Sequence, residues 1–367
     1  MDILVIGGTG PSGVPLVRTL VERGHSVAIL HRGTHERPET PAEVEHLHAD
    51  PFDESSLRDA VGDRTWDVVF AMYGRLRRVA QVFVGRCGHF VSVGGVPAYR
   101  GWTDAWQFDP AGLPVPTAED AELVRDDAID SKGYRIVRTE EAVFAAHPDA
   151  THFRYPYLYG PYQPVPREWS VVRRILEGRR RMIVADDGLT LHHHGYTENV
   201  AAALVTAMEH PERSKGLIVN VADAEVLTVR QMIELCASAL DVELEIVSMP
   251  YDLAVPAWPL LAQPLPTHRV LDLSVLHERI GHRDVVPARE GVRRTALWLR
   301  DNPPERGGVE ELVLTDPFDY AAEDALIESW NAARAAVAVP EFTEPPRWGL
   351  AYSGPHGRPR KQKEFIE

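Results

Sequence analysis

Short apolar runs, rich in β-branched residues, punctuate the early chain at 2–6, 26–30, 44–48, 67–71 and 89–93, with helix-length amphipathic segments between them. Strands that read as hydrophobic runs separated by helices predict a parallel sheet covered on both faces, because each crossover lays a helix against it. A helix is predicted over 14–23, a sixth strand at 151–154 after a helix over 127–146, and a seventh strand at 217–221. The expectation is an α/β fold with a large, doubly wound parallel sheet.

The pattern changes after the sixth strand. Residues 155–188 are rich in Pro, Tyr and Arg and lead into 192–199. Long connections at the carboxyl ends of strands usually build ligand pockets. Helical spacing returns at 228–240, a Pro-rich run over 250–266 interrupts it, and a small second domain is expected here. Beyond Asp301 come Pro303-Pro304, a predicted helix over 320–337 and a Pro-rich end with the basic run Arg358-Pro359-Arg360-Lys361.

Composition narrows the partners. Over 367 residues the formal net charge is -15 and the pI about 5.5, which argues against nucleic acid, whose binding relies on clustered Lys and Arg. Two widely separated cysteines, Cys87 and Cys236, fit neither a disulfide framework nor a metal-ligand spacing and suggest a reducing compartment. With no signal-like start and no apolar run of membrane-spanning length, a cytoplasmic protein without a membrane partner is expected.

The strongest motif is Gly7-Gly8-Thr9-Gly10-Pro11-Ser12-Gly13, directly after the first strand and at the opening of the first helix. Glycines at 7, 10 and 13 allow a tight turn, close backbone approach to a pyrophosphate and tight helix–strand packing, and the helix N-terminus favours the anion. Gly7, Thr9, Gly10, Pro11, Ser12 and Gly13 are therefore assigned to a dinucleotide, together with Ala71 at the end of the fourth strand. The second strand ends His31-Arg32-Gly33, with no acidic residue where one would grip a ribose diol. Arg32 suits a 2′-phosphate, so the expected cofactor is NADP; its alternative is a solvated loop residue, with His31, Thr34 and Arg37 as helpers or bystanders. Asp50, after the third strand, is placed to accept from the adenine amino group or to begin a turn.

These features, with Phe90-Val91-Ser92-Val93-Gly94-Gly95, Arg154-Tyr155-Pro156-Tyr157-Leu158-Tyr159-Gly160-Pro161 and Tyr196-Thr197-Glu198-Asn199-Val200-Ala201, resemble the extended short-chain dehydrogenase/reductase superfamily in its NAD(P)-dependent epimerase/dehydratase branch. The resemblance covers about 1–300 and extends to Asn220-Val221-Ala222, Asp272-Leu273-Ser274 and Ile280-Gly281. It implies a Rossmann-type domain over 1–222 with a pocket insertion at about 155–199, a small C-terminal substrate domain over 223–300, and a C-terminal extension over 301–367. It also implies hydride-transfer chemistry and dimerisation through sheet-flanking helices.

The family's catalytic Tyr is followed four residues later by Lys. Here the best match is Tyr134 with Arg138, and Val93-Gly94-Gly95 stands where a Ser or Thr is expected, Ser92 falling one step earlier within the strand. A fixed cation one helical turn from a phenol favours phenolate, so Tyr134 is the candidate acid/base and Arg138 its cation. The alternative is a packing tyrosine beside an Arg138–Glu141 pair.

In sugar-nucleotide members an Arg commonly binds the substrate diphosphate where this chain has His192, which weakens a nucleotide-sugar substrate. His192-His193-His194 cannot all converge on one ion without strain, and no metal site is assigned. Tyr99, Trp102, Trp106, Tyr157, Tyr162 and Trp169 are candidates to line an apolar pocket or to pack in the core. The function expected is an NADP-dependent oxidoreductase or epimerase of a small carbonyl or hydroxyl compound. A non-redox lyase or isomerase on the same scaffold and a non-catalytic, NADP-sensing regulator are the alternatives.

Overall fold

The structure, a computed structural model, describes residues 1–343 apart from His35 and Tyr73, so the basic run at 358–361 lies outside the described residues. Strands β1 (Asp2–Ile6), β2 (Ser26–His31), β3 (Glu45–His48), β4 (Trp66–Ala71), β5 (Cys87–Gly95), β6 (Thr151–Tyr155) and β10 (Ile218–Asn220) form a seven-stranded sheet in the order β10-β6-β5-β4-β1-β2-β3. Every pairing in it is parallel. Each strand coincides with a predicted run to within two residues at either end.

Alternation along β1 explains the layers. Ile3 and Val5 face one core, with Leu16, Val17 and Leu20 of α1 (Gly13–Glu22) and Val200, Leu204 and Val205 of α6 (Thr197–Glu209). Leu4 and Ile6 face the other, with Leu57 and Val61 of α2 (Glu54–Val61), Val79 and Val82 of α3 (Leu76–Val82) and Val143 of α4 (Ser131–Ala146). A strand buried on both faces shows no polar alternation, which is why β1 reads as one apolar run. The strand order reverses between β1 and β4, and the crevice at their carboxyl ends is the switch point where ligands bind in such sheets.

Helix α4 starts four residues later than its predicted 127. Residues Asp126–Asp130 form a turn in which Asp126 Oδ1 accepts from Ala128 N, and Asp130 caps the helix by accepting from Gly133 N at 2.8 Å. Two small parallel sheets outside the central one were not expected from the sequence: β7 (Tyr157–Tyr159) with β9 (His194–Tyr196), and β8 (Arg181–Ala185) with β11 (Glu245–Met249). Around the second of these lie α5 (Trp169–Leu176), α8 (Val229–Ala239), the short α9 (Trp258–Leu261) and α10 (Ala288–Asp301), while α7 (Pro211–Ser214) is a single turn before β10.

Contacts divide the chain into Met1–Glu323 and a second unit from Asp324. Within the first, the stretch after Asp301, including α11 (Val309–Leu314), is fastened to α5. Arg174 pairs with Asp316 and Glu323, all buried, and Trp169 Nε1 donates to Glu311 at 2.8 Å. The described part of the second unit consists of the remaining turns of α12 (Tyr320–Ala336) and the residues up to 343. Among the described residues no helix is long and apolar enough to cross a membrane.

Candidate active site

The glycine loop leaves β1 at the switch point. Gly7 has a φ of +93°, open to glycine at little cost, and its carbonyl accepts from Gly10 N at 3.2 Å. The three motif glycines differ in what a side chain would meet. A Cβ on Gly13 would lie 2.6 Å from the Gly7 oxygen and 2.7 Å from the Gly8 carbonyl carbon, so Gly13 is needed for the crossing of turn and helix. A Cβ on Gly10 would meet nothing closer than the Gly7 oxygen at 3.6 Å. The fold itself does not require glycine at 10; a ligand approaching the backbone there would. Ser12 is buried at the N-cap of α1 without capping through its side chain, and the Tyr155 hydroxyl lies beside it. A helix N-terminus behind a glycine loop that is open at Gly10 fits a dinucleotide.

The second edge of the crevice is built by β2 and the loop after it. Arg32 is exposed at the end of β2, while Arg37 folds back, donating to Thr9 O at 3.3 Å and covering the Tyr162 ring at 4.0 Å. Thr9 is thus tied to the loop after β2, and Pro11 lines a separate 190 Å³ hollow with Tyr162 and Trp298. Asp50 takes the role of a turn residue, its Oδ1 accepting from Phe52 N at 2.9 Å. Ala71 is buried at the end of β4.

Beyond the switch point opens a cavity of about 840 Å³. Its floor comes from Met72, the β5 end Val93-Gly94-Gly95-Val96, and Tyr155-Pro156-Tyr157 after β6. Arg75, Arg77 and Arg78 at the start of α3 and Lys132 and Arg135 of α4 supply five cations, and no carboxylate is among the lining residues. Tyr134 and Arg138 do not line it. Gly133, Val137 and Glu140 are the buried stripe of α4, and at about 100° per residue Lys132, Arg135, Ile136 and Thr139 fall on one flank and Tyr134, Arg138 and Glu141 on the other. Arg138 instead pairs with Glu141 at 2.5 Å on the surface. Gly133 fixes this rotation, since a Cβ there would strike Pro97 O at 2.5 Å.

Under the floor runs a buried polar chain. Ser92 Oγ and His152 Nδ1 are 2.8 Å apart, which keeps Ser92 inside the sheet rather than in the cavity. His152 Nε2 lies 3.6 Å from Glu140 Oε1, and the two Glu140 oxygens accept from Arg154 Nε and Nη2 at 2.9 and 2.8 Å. Burial works against the Glu140 charge, but the hydrogen bonds from Arg154 outweigh it and hold the carboxyl at about 2. Arg154 also covers the Tyr99 ring at 4.6 Å, and Tyr99 Oη donates to Asn220 Oδ1 at 2.6 Å. Burial pushes the Tyr99 phenol up to about 12. Gly94 passes so close above His152 that a Cβ would sit 2.4 Å from Nε2, so no side chain, hydroxyl-bearing or other, fits at that position.

Behind Tyr157 the charge is unusual. Arg167 stacks on the Tyr157 ring at 3.5 Å and Arg269 lies over Trp102 at 5.9 Å; both are buried, and neither pairs with a carboxylate among the described residues. Their hydrogen bonds to Leu260 O and Ala262 O are long, at 3.4 and 3.5 Å, and each Nε is unpaired. Burial lowers the Arg269 guanidinium to about 10. His192, its ring edge-on to Tyr157 with centroids 5.3 Å apart, has both ring nitrogens unpaired, and burial holds it and His194 well below the usual imidazole range, hence neutral. Neither Arg167 nor Arg269 was singled out from the sequence: nothing in a lone Arg signals that its partner is missing. Tyr196 and Asn199 prove to be junction residues. Asn199 Nδ2 and Tyr196 N donate to Asp223 Oδ1, Tyr159 Oη donates to its other oxygen, and burial raises the Asp223 carboxyl to about 6.

A glycine loop with an open central position, at the switch point of a doubly wound sheet and beside a large cavity, defines a dinucleotide-dependent enzyme of the Rossmann class. The sequence profile of the NAD dependent epimerase/dehydratase family matches residues 3–81 and 134–222. Over those two segments the chain is similar to this family, and it is an NAD(P)-dependent enzyme. It is similar to a 3-diazoavenalumate denitrifying reductase from Streptomyces sp, 29% identical over 57% of this chain and 72% of the relative. It also resembles the chloroplast stem-loop binding protein of 41 kDa b of Arabidopsis thaliana, at 24% identity over 65% of this chain; the match spans 62% of that relative's length. Among solved structures, the UDP-glucose 4-epimerase of Thermotoga maritima with UDP-glucose shares the fold, with a TM-score of 0.65 and 19% identity over 83% of this chain and all of the other. The Bordetella bronchiseptica enzyme WbmG in complex with NAD and UDP does so with a TM-score of 0.62 and 16% identity, over 82% and 94%.

Proposed function

We propose that the chain is an NADP(H)-dependent oxidoreductase or epimerase acting on a small carbonyl or hydroxyl compound that carries an anionic group. The observation behind this is the cavity lining: five cations and no carboxylate around an apolar floor, in a chain of net charge -15. Such a site draws an anion against the charge of the molecule as a whole. The unpaired Arg167 and Arg269 behind Tyr157 support the same reading, since a buried cation without a partner is costly unless an anion arrives to match it. NADP rather than NAD is favoured by Arg32 at the end of β2 and by the lack of an acidic residue there. The reductase relative agrees with a reductive reaction and the epimerase structures with the other branch.

When bound, the nicotinamide supplies or accepts the hydride. The residues of the chain do the rest. Of residues 10–13, Pro11 has no N–H and Gly10 and Gly13 donate to Gly7 O and Gly10 O, so the Ser12 N–H at the head of α1 would meet the pyrophosphate, and the β5 end with Met72 would form a wall of the reaction space. Because Tyr134 and Arg138 lie on the far flank of α4, the acid/base candidates lining the cavity include Lys132, His152, Tyr155 and Tyr157. Burial raises the Tyr155 phenol, so it remains protonated and serves as a hydrogen-bond donor to a developing oxyanion rather than as a base. The lack of a phenol–cation pair on the cavity flank of α4 is also what favours a non-redox lyase or isomerase as the second reading.

The test is a panel of carbonyl compounds offered with NADPH, each as free acid and as methyl ester. A charge-assisted contact worth about 1.5–3 kcal/mol predicts kcat/KM for the acids higher by roughly tenfold to a hundredfold, with most of the difference lost in Arg135→Ala. Equal rates for acid and ester remove the anionic substrate. Conversion that leaves nicotinamide absorbance unchanged and proceeds equally well on protein stripped of cofactor moves the reaction to the non-redox class, whereas an epimerase shows no net absorbance change but requires the cofactor.

A further inference from the structure

We propose that His31, His46, His48 and Glu36 form a binding site for one divalent transition-metal ion of the zinc class, at the outer edge of the central sheet. The inference does not depend on the substrate or chemistry assigned to the cavity. In the β2–β3 pairing His31 stands opposite His48 and Ile29 opposite His46. Side chains two apart on a strand share a face, so the three imidazoles gather on one side of the sheet, and Glu36 reaches them from the loop after β2. One ligand atom from each residue lies within 4.8 Å of all the others. His31 Nε2 is 3.0 Å from His46 Nδ1, and His48 Nε2 is 3.6 Å from Glu36 Oε1. Around a tetrahedral zinc with bonds of about 2.0–2.1 Å, ligand atoms stand roughly 3.3 Å apart. The two measured separations bracket that value, so modest side-chain rotation brings four donors onto one ion.

The donor set also has the right chemistry. Three imidazoles and a carboxylate suit zinc, cobalt, nickel or copper better than magnesium or calcium, which prefer all-oxygen cages. Without metal, Gly33 N donates to His31 Nδ1 at 3.1 Å, so the His31 proton sits on Nε2 and is shared with His46. A metal takes the place of that shared proton. The proton moves to Nδ1, the Gly33 contact ends, and the ion ties the loop carrying Glu36 to β3. Gly33, with a φ of +76°, sits in the turn immediately after Arg32, so the change is felt at the 2′-phosphate edge of the crevice.

The experiment uses the full chain, freed of any purification tag, stripped with a chelator and titrated with CoCl2 and with ZnCl2. The expected result is one tight equivalent per chain by calorimetry, and the visible spectrum of tetrahedral cobalt, bleached by zinc. Because loss of even an outer-shell partner commonly costs 10- to 100-fold in affinity, His48→Gln should weaken binding by about a hundredfold or more and Glu36→Gln by at least about tenfold. Both side chains are more than half exposed, so neither substitution threatens the fold. His210→Gln, on an exposed histidine elsewhere, should change nothing. Absence of a cobalt spectrum at saturating CoCl2, or equal affinity in wild type, His48→Gln and Glu36→Gln, overturns the site.

Discussion

At Gly10 and Gly13 an added side chain should have different consequences for stability. A Cβ on Gly10 meets only the Gly7 oxygen at 3.6 Å, so Gly10→Val should keep the melting temperature within a few degrees while its branched side chain blocks the backbone from a pyrophosphate. A Cβ on Gly13 strikes backbone at 2.6 Å, so Gly13→Ala should lower stability as well as binding. Thermal denaturation beside a cofactor titration separates the two, and an unfolded Gly10→Val would mean that the loop is a structural turn only. Arg269 offers a second residue-scale test. It is 2% exposed and unpaired at Nε, so Arg269→Met should leave stability unchanged or raise it by about 1–4 kcal/mol while weakening an anionic ligand. A marked loss of stability would show that the guanidinium is matched within the chain.

Among the elements, α4 carries the clearest energetic claim. Its Glu140 and Arg154 of β6 are both buried and doubly hydrogen-bonded, so Glu140→Gln should cost about 3–5 kcal/mol, mostly by leaving Arg154 uncompensated. The carboxyl is held at about 2 against an ordinary 4.5, a depressed pKa, so its contribution is complete above pH 4.5 and is lost as pH falls toward 2. Urea denaturation of wild type and Glu140→Gln across that window should converge at the acid end; a constant difference would contradict the ion pair. The same helix shows where sequence reading stops. Its existence, the seven central strands and the glycine loop were all legible, because burial on two faces and a turn that only glycine can make leave marks in residue type. Its rotation was not. A Tyr-x-x-x-Arg match pointed to Tyr134 and Arg138, whereas the buried stripe of Gly133, Val137 and Glu140 turns the opposite flank to the cavity. The small residue at 133 was the available signal, but a close approach to Pro97 O is a tertiary fact. The β7–β9 and β8–β11 pairs and the His31–His46–His48 cluster likewise depend on strands meeting across long separations.

At the scale of the whole molecule, a cavity lined by five cations opens beside the switch point of the sheet in a protein of net charge -15. Electrostatic attraction at exposed cations is screened over about 8–10 Å near physiological salt, so the apparent affinity for an anionic substrate should fall between low salt and 0.5 M while that of its neutral ester holds steady. The most direct test of the central claim is an equilibrium titration of the intact chain with NADPH and with NADH, repeated on Arg32→Ala. The account predicts that NADPH binds more tightly than NADH, and that Arg32→Ala lowers only the NADPH affinity, by roughly tenfold to a hundredfold, for the loss of one charge-assisted contact of about 1.5–3 kcal/mol. Failure of the wild-type chain to bind either dinucleotide, or an affinity ratio that Arg32→Ala leaves unchanged, would contradict it.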